Sequence, residues 1–213
     1  MVRVMTLNVE LSRHLHRFVP FARHAQPDVL CLQEVVESDM PTIVEGTGLS
    51  HVHLAAMARH HGTPGEAPFG VALLSRAEMS ERLTEPYAGA GDGHTLLDRQ
   101  SPETRVATRR YVLASARIAF ENVTLDVATT HFPWTDHGQP RDFQFHAMDD
   151  LIGRFTGRRL LLTGDFNGPR GGPVFNRLAA VLADNVPDSA RTTLDPKLHR
   201  AGPLDLVVYG FFT

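Results

Sequence analysis

The stretch Leu160-Leu161-Leu162-Thr163-Gly164-Asp165-Phe166-Asn167-Gly168 constrains this chain more than any other. Three leucines and a threonine bounded by glycine read as a short buried strand, with a buried helix segment left open by periodicity alone. Gly164 breaks the run, and Asp165 and Asn167 follow with one residue between them. An extended backbone would place both polar side chains on one face and Phe166 on the other. A carboxylate and a carboxamide at the mouth of a strand can activate and hydrogen-bond one small group. The same residues are ordinary turn formers, and a polar turn closing a strand is the plainer reading.

The remaining chain repeats this design. Val2 to Val9 alternates as a β-strand with Asn8 near its C-terminal end. Leu11 to Ala25 reads as a helix that Pro20 starts midway or kinks. Val29 to Val35 is a nearly all-apolar strand that admits Gln33 and Glu34 late. Buried charge has to be paired or metal-bound, unless the strand simply emerges into solvent there. Asp39 to Val44 reads as a short helix, and His51 to Met57 and Phe69 to Ser75 as two strands. Tyr87 to Thr108 is a long surface excursion, of the kind that is often functional. Arg110 to Phe120 and Val123 to Phe132 form a hairpin that delivers His131 at its exit, beside Trp134. Arg141 to Phe155 is an amphipathic helix, with Met148, Leu151, Ile152 and Phe155 on one face. A helix starts at Pro173, and Leu204 to Tyr209 reads as a last strand with Asp205 near its start. Hairpin-linked strands with a few helices between them imply one α+β domain, residues 1–213, with packed sheets.

Composition narrows the function. The 21 Lys plus Arg against 24 Asp plus Glu leave a formal charge of −3, which is no broad footprint for nucleic acid. A local basic stripe of Arg105, Arg109, Arg110 and Arg117 remains available. The single cysteine, Cys31, cannot build a disulfide framework and is expected as a buried, reduced thiol. No apolar run reaches membrane-spanning length and no signal-peptide pattern opens the chain, so a cytoplasmic protein is expected. His51, His53, His60 and His61 raise a zinc site, with no cysteine and few carboxylates to complete it.

Asn8, Glu34, His131, Asp165 and Asn167 therefore stand at or near the ends of four strands, with Asp205 on a possible fifth. One such residue is a strand end, whereas several suggest convergence on a single site. Carboxylate and amide oxygens of this kind suit Mg²⁺ or Mn²⁺, with water and substrate completing the shell.

The motifs carrying these residues are Thr6-Leu7-Asn8, Pro27 to Val35, Thr130-His131-Phe132, Gly164-Asp165-Phe166-Asn167 and Leu204-Asp205. In that order, with Gly70 to Arg76 and Arg110-Tyr111, the chain resembles the endonuclease/exonuclease/phosphatase superfamily, the deoxyribonuclease-I-like fold. The resemblance implies a four-layer α/β sandwich, two packed mixed sheets flanked by helices, with the site at one edge of the sheets. It implies that Glu34 is the main metal ligand with Asn8 beside it, and that Asp165 orients or deprotonates the attacking water. Asn167 and His131 would then hydrogen-bond the phosphate oxygens, and Arg109 or Arg110 would touch a substrate phosphate. Trp134, just beyond His131, would by its position either stack on a base or sugar or simply pack on its loop.

One departure qualifies this. Members of the superfamily normally carry a further strand with an Asp-His pair, whose His Asp205 would support. Nothing of that kind follows Phe211-Phe212-Thr213. Either the chain is cut short or a histidine elsewhere substitutes, with His137 and His199 conceivable, and without that strand the sheet would have an edge open to pairing. The expected activity is metal-dependent phosphoester hydrolysis, as a phosphodiesterase or nuclease. The alternatives are a sugar, lipid or small-molecule phosphatase of the same fold, and a binding module that has lost turnover. The oligomeric state is open.

Overall fold

The structure, a computed structural model, describes residues 1–135, 139–195, 197–199 and 204–213. Four strands, Val4–Asn8 (β1), Val29–Val36 (β2), His51–Arg59 (β3) and Pro68–Ser75 (β4), form a sheet in the order β1-β2-β4-β3. Five more form a second sheet in chain order. They are Met79–Ala88 (β5), Tyr111–Phe120 (β6), Val123–His131 (β7), Leu161–Asp165 (β8) and Tyr209–Phe212 (β9). Both sheets are mixed, because β1 with β2 and β7 with β8 run parallel while their other neighbours run antiparallel. The helices are Leu15–Ala25 (α1), Met40–Thr47 (α2), Pro102–Thr108 (α3), Asp142–Phe155 (α4) and Pro173–Ala179 (α5).

Strand β2 shows why these layers form. Its Leu30 and Leu32 pack with Phe18 and Ala22 of α1 and Ile43 of α2. Its Val29 and Cys31 pack with Ala116, Ile118 and Val127 of the other sheet. Period two sends alternate side chains to opposite faces, and both faces are covered, so the strand has to be apolar throughout. On the far side, Met148, Leu151 and Phe155 of α4 and Leu178 of α5 pack with Leu162 and Phe212. Helices, sheet, sheet, helices: this is the expected α+β sandwich.

Four details depart from the reading above. Strand β5 was not anticipated. It is an edge strand with two register shifts, and its Ser80-Glu81-Arg82 segment breaks the alternation, while Pro86 is tolerated at an edge. The Tyr87 to Thr108 excursion is more ordered than its composition suggests. Asp92 accepts hydrogen bonds from the backbone N–H groups of His94 and Thr95 and from the Thr95 hydroxyl, and Ser101 caps α3. The last strand begins at Tyr209 rather than Leu204, because Val207 and Val208 bond outward to Arg170 and Phe166. Finally, the outer edge of β9 is covered by backbone hydrogen bonds from Ala183 and Asn185 to Thr213 and Phe211, so it does not lie open.

Candidate active site

The parallel pairing of β7 and β8 sets His131 directly beside Asp165, and the pairing of β1 with β2 sets Asn8 beside Gln33. Asn8 Nδ2 donates to Asp165 Oδ2 at 3.1 Å, which ties the ends of the two sheets together. Asn8 Oδ1 accepts from the backbone N–H of Glu10 at 2.9 Å. Glu34 reaches this cluster through a β-bulge. Gln33 pairs with Val71 and Val35 with Gly70, leaving Glu34 as the extra residue, at φ 54°. A bulge re-aims one side chain, and a glutamate held in the left-handed region stores about 1–2 kcal/mol. Opposite the bulge the backbones close in, and a Cβ at Gly70 would meet the Ala55 carbonyl oxygen at 2.0 Å. The glycine is required there.

His131 is 4% exposed. Burial first, then the nearby Arg109 guanidinium, pushes its pKa down to about 3, against the pull of Asp165. The imidazole is therefore neutral. Arg109 Nη2 stands 3.1 Å from Nδ1, and because arginine can only donate, Nδ1 accepts and the ring proton sits on Nε2. That Nε2 is 3.9 Å from Glu34 Oε1 and 4.0 Å from Asp165 Oδ2, too far to be hydrogen-bonded to either. A neutral N–H donor thus faces the space between two carboxylates.

Asp165 and Asn167 both reach the cluster, though not through an extended backbone. The strand ends at Asp165, Asn167 has φ 49°, and its backbone N–H donates to Asp165 Oδ1 at 3.0 Å. The turn reading and the functional reading hold together, since the turn is what orients the carboxylate. Asn167 Nδ2 donates one hydrogen to the Phe132 carbonyl at 2.8 Å, leaving the other directed elsewhere.

Other residues fall differently. Gln33 does not emerge into solvent. It is fully buried and donates to Thr129 Oγ1 and Thr6 Oγ1, linking the two sheets under the site. Arg109 is 7% exposed and packed over the Phe69 and Tyr111 rings, so it touches His131 rather than standing at the surface. Arg110 turns away and donates to the Ala56 carbonyl. Trp134 is 53% exposed at the mouth of the adjoining cavity. Asp205 is exposed on the segment before β9, and no hydrogen bond among the described residues joins it to the cluster. His199 lies in the turn after Asp195, equally unconnected to the site, and His137 lies outside the described residues. His53, His60 and His61 take separate partners, Leu83, Gly62 and Glu66.

Tyr209 is the residue that the pattern of strand ends did not reveal. It pairs with Asp165 across β8 and β9, and its hydroxyl accepts from the Asn8 backbone N–H at 3.0 Å. Burial and then the Asp165 charge hold its pKa well above the tyrosine range, so it stays protonated. Its only signal in the sequence was one polar atom on an apolar strand.

A pair of carboxylates, a neutral imidazole donor and two carboxamides thus meet at the joined ends of two sheets, a set of groups able to accept a proton and to hydrogen-bond an anion. The family model described as Endonuclease/Exonuclease/phosphatase family matches residues 5–210, and the chain belongs to that family. Among solved structures, an endonuclease/exonuclease/phosphatase family protein from Leptotrichia buccalis is similar at TM-score 0.67 and 17% identity, covering 100% of this chain and 87% of that one. A mannosyl-6-phosphatase from Bacteroides thetaiotaomicron follows at TM-score 0.66 and 10% identity, over 100% and 85% of the two chains. The human Nocturnin catalytic domain, solved with a sulfate anion, is similar at 0.58 and 16%, over 99% and 82%. None of the curated proteins matches significantly. Among the described residues no helix is long and apolar enough to cross a membrane.

Proposed function

We propose that residues 1–213 act as one catalytic domain, a divalent-metal-dependent phosphodiesterase, and that the observation carrying this is the neutral His131 N–H set between Glu34 and Asp165. The similar proteins named above differ from one another, so they support phosphoester chemistry rather than one substrate.

The residues fit a hard cation. Glu34 and Asp165 lie within 4.0 Å of the same imidazole nitrogen, and among the described residues neither has an arginine or lysine partner. No three His, Cys, Asp or Glu side chains among them form a cage. Mg²⁺ does not need one, because it keeps several waters and takes one or two carboxylates. Glu34, with Asn8 beside it, would hold Mg²⁺ or Mn²⁺, whose contribution when bound is to neutralise charge on the phosphate. Asp165, held by Asn8 and the Asn167 backbone, takes the proton of the attacking water. His131 Nε2–H and the second Asn167 amide hydrogen donate to the non-bridging oxygens as charge builds on them.

Hydrolysis of bis-p-nitrophenyl phosphate with Mg²⁺ or Mn²⁺, against EDTA, tests this directly. Turnover should need the metal and fall by ~10²–10³ or more in Asp165→Ala. A folded, metal-binding protein with no turnover would favour the binding-module reading instead.

A further inference from the structure

Helix α1 carries a face that neither the core nor the site uses. Its Phe18 and Ala22 are buried against the first sheet, while Arg13, His16, Arg17, Pro20, Phe21 and His24, spaced along one side of the helix and the turn before it, are all exposed. Arg23, also exposed, flanks this row. No Asp or Glu occurs from Leu11 to Gln26. The other helices differ: α4 sets Asp142, Asp149 and Asp150 against Arg154 on its exposed side, and α2 exposes Glu45. Arg13 pairs with Glu10 at 3.3 Å, but among the described residues Arg17 and Arg23 have no carboxylate partner. Arg17 Nε donates to His16 Nε2, and Arg23 Nε donates to the Gly46 carbonyl of α2 at 2.8 Å, which fixes the guanidinium without neutralising it. In a chain of formal charge −3 this is a local concentration of cation. Phe21, 58% exposed, stands within it beside Pro20.

The partner has to answer both features. A second copy of the same face would set arginine against arginine, and like charges across an interface are costly. A nucleic-acid backbone answers the arginines and leaves Phe21 in water. An anionic bilayer surface offers phosphates at the depth of the guanidinium groups and apolar chains just beneath. Charge and apolar exposure therefore point to one occupant. We infer that α1 is an interfacial helix that docks the protein on an anionic lipid surface, with its arginines at the lipid phosphates and Phe21 among the upper acyl chains. At 11 residues the helix is well short of the ~20 that span a bilayer, so it lies on the surface. Arg3, just before β1, donates to the Ala25 carbonyl at the far end of α1, so the helix runs back from the end of β1 where Asn8 stands. The docked face thus starts beside the candidate site and extends away from it. The inference does not depend on the hydrolytic reading.

Sedimentation with lipid vesicles in EDTA tests this. The protein should partition onto phosphatidylcholine vesicles containing phosphatidylglycerol, bind pure phosphatidylcholine roughly tenfold more weakly, and be released as salt is raised. Partition should fall roughly fivefold in Arg17→Gln, the worth of one cation near an anionic surface, and roughly tenfold in Phe21→Ser. Both side chains are exposed, so neither change should move the thermal midpoint. Arg154→Gln removes the same charge from the exposed side of α4 and should leave partition nearly unchanged. Trp134 is the only tryptophan, so Phe21→Trp combined with Trp134→Phe places a single fluorophore on α1, and brominated acyl chains should quench it. Equal binding to both kinds of vesicle, an equal loss in Arg154→Gln, or no quenching overturns the proposal. Salt-sensitive binding to a duplex oligonucleotide, weakened in Arg17→Gln but not in Phe21→Ser and unaccompanied by vesicle binding, would give the face to nucleic acid and overturn it as well.

Discussion

Arg109 shows how one buried side chain can decide what another does. It is wedged between Phe69 and Tyr111 and spends a donor on His131 Nδ1, which fixes the ring proton on Nε2, where the carboxylates converge. Arg109→Met should keep the packing and lose that instruction. Nitrogen NMR of the His131 ring should then show a mixture of tautomers where the natural protein shows one, and an unchanged spectrum would remove Arg109 from the positioning role. Gln33 is the second residue whose work is indirect. Its amide joins Thr6 to Thr129 across the two sheets, 0% exposed. Gln33→Ala leaves two hydroxyls without a partner and a hole between sheets, and should cost about 2–4 kcal/mol in urea unfolding. The sequence showed that both residues were unusual, Gln33 as a polar residue in an apolar run and Arg109 as one of a basic stripe. It did not show their direction. Which ring nitrogen an arginine reaches, and whether a glutamine faces solvent or another sheet, depends on a second element far away in the chain.

At the scale of an element, the bulge in β2 is where regular structure yields to chemistry. A regular strand would have kept Glu34 in the alternation that sends Leu30 and Leu32 to the helices, but at φ 54° it sits outside the ladder. Glycine adopts that conformation without penalty. Glu34→Gly should therefore abolish metal-dependent turnover while leaving the protein as stable as before or about 1 kcal/mol more so, read by thermal or urea midpoint. A large loss of stability would mean that the glutamate holds the fold rather than working against it. Elements with strong periodicity or buried runs, such as β2, α4 and β8, were legible because burial on both faces or one stripe writes itself into composition. Strand β5 was not, since an edge strand has solvent on one flank and can carry Ser80, Glu81 and Pro86. The true start of β9 was hidden for a related reason. Whether Leu204 to Val208 pairs as a strand or is drawn off by Phe166 and Arg170 is settled by contacts made from another loop.

Across the whole molecule, the site is only as well ordered as the contact between the two sheets, because Asn8 and Glu34 come from one and His131 and Asp165 from the other. Cys31 reports on that contact. It is 0% exposed among Val29, Leu73, Ala116 and Val127, in the layer the sheets share, and burial pushes its thiol pKa up to about 12. A thiol reagent at pH 8 should therefore reach it only when the sheets separate, and the labelling rate should follow the global unfolding measured by urea, with the same dependence on denaturant. The raised pKa also fixes the sign of an alkaline effect. The unfolded chain releases the thiol proton near pH 9 while the folded one keeps it to about 12, so above pH 9 the unfolded state binds fewer protons and stability falls as pH rises through that window. Cys31→Ala should remove this contribution to the alkaline slope at the cost of a small cavity. Labelling faster than global unfolding would show instead that the sheets part locally, and the two halves of the site would then be expected to assemble around the substrate rather than wait for it.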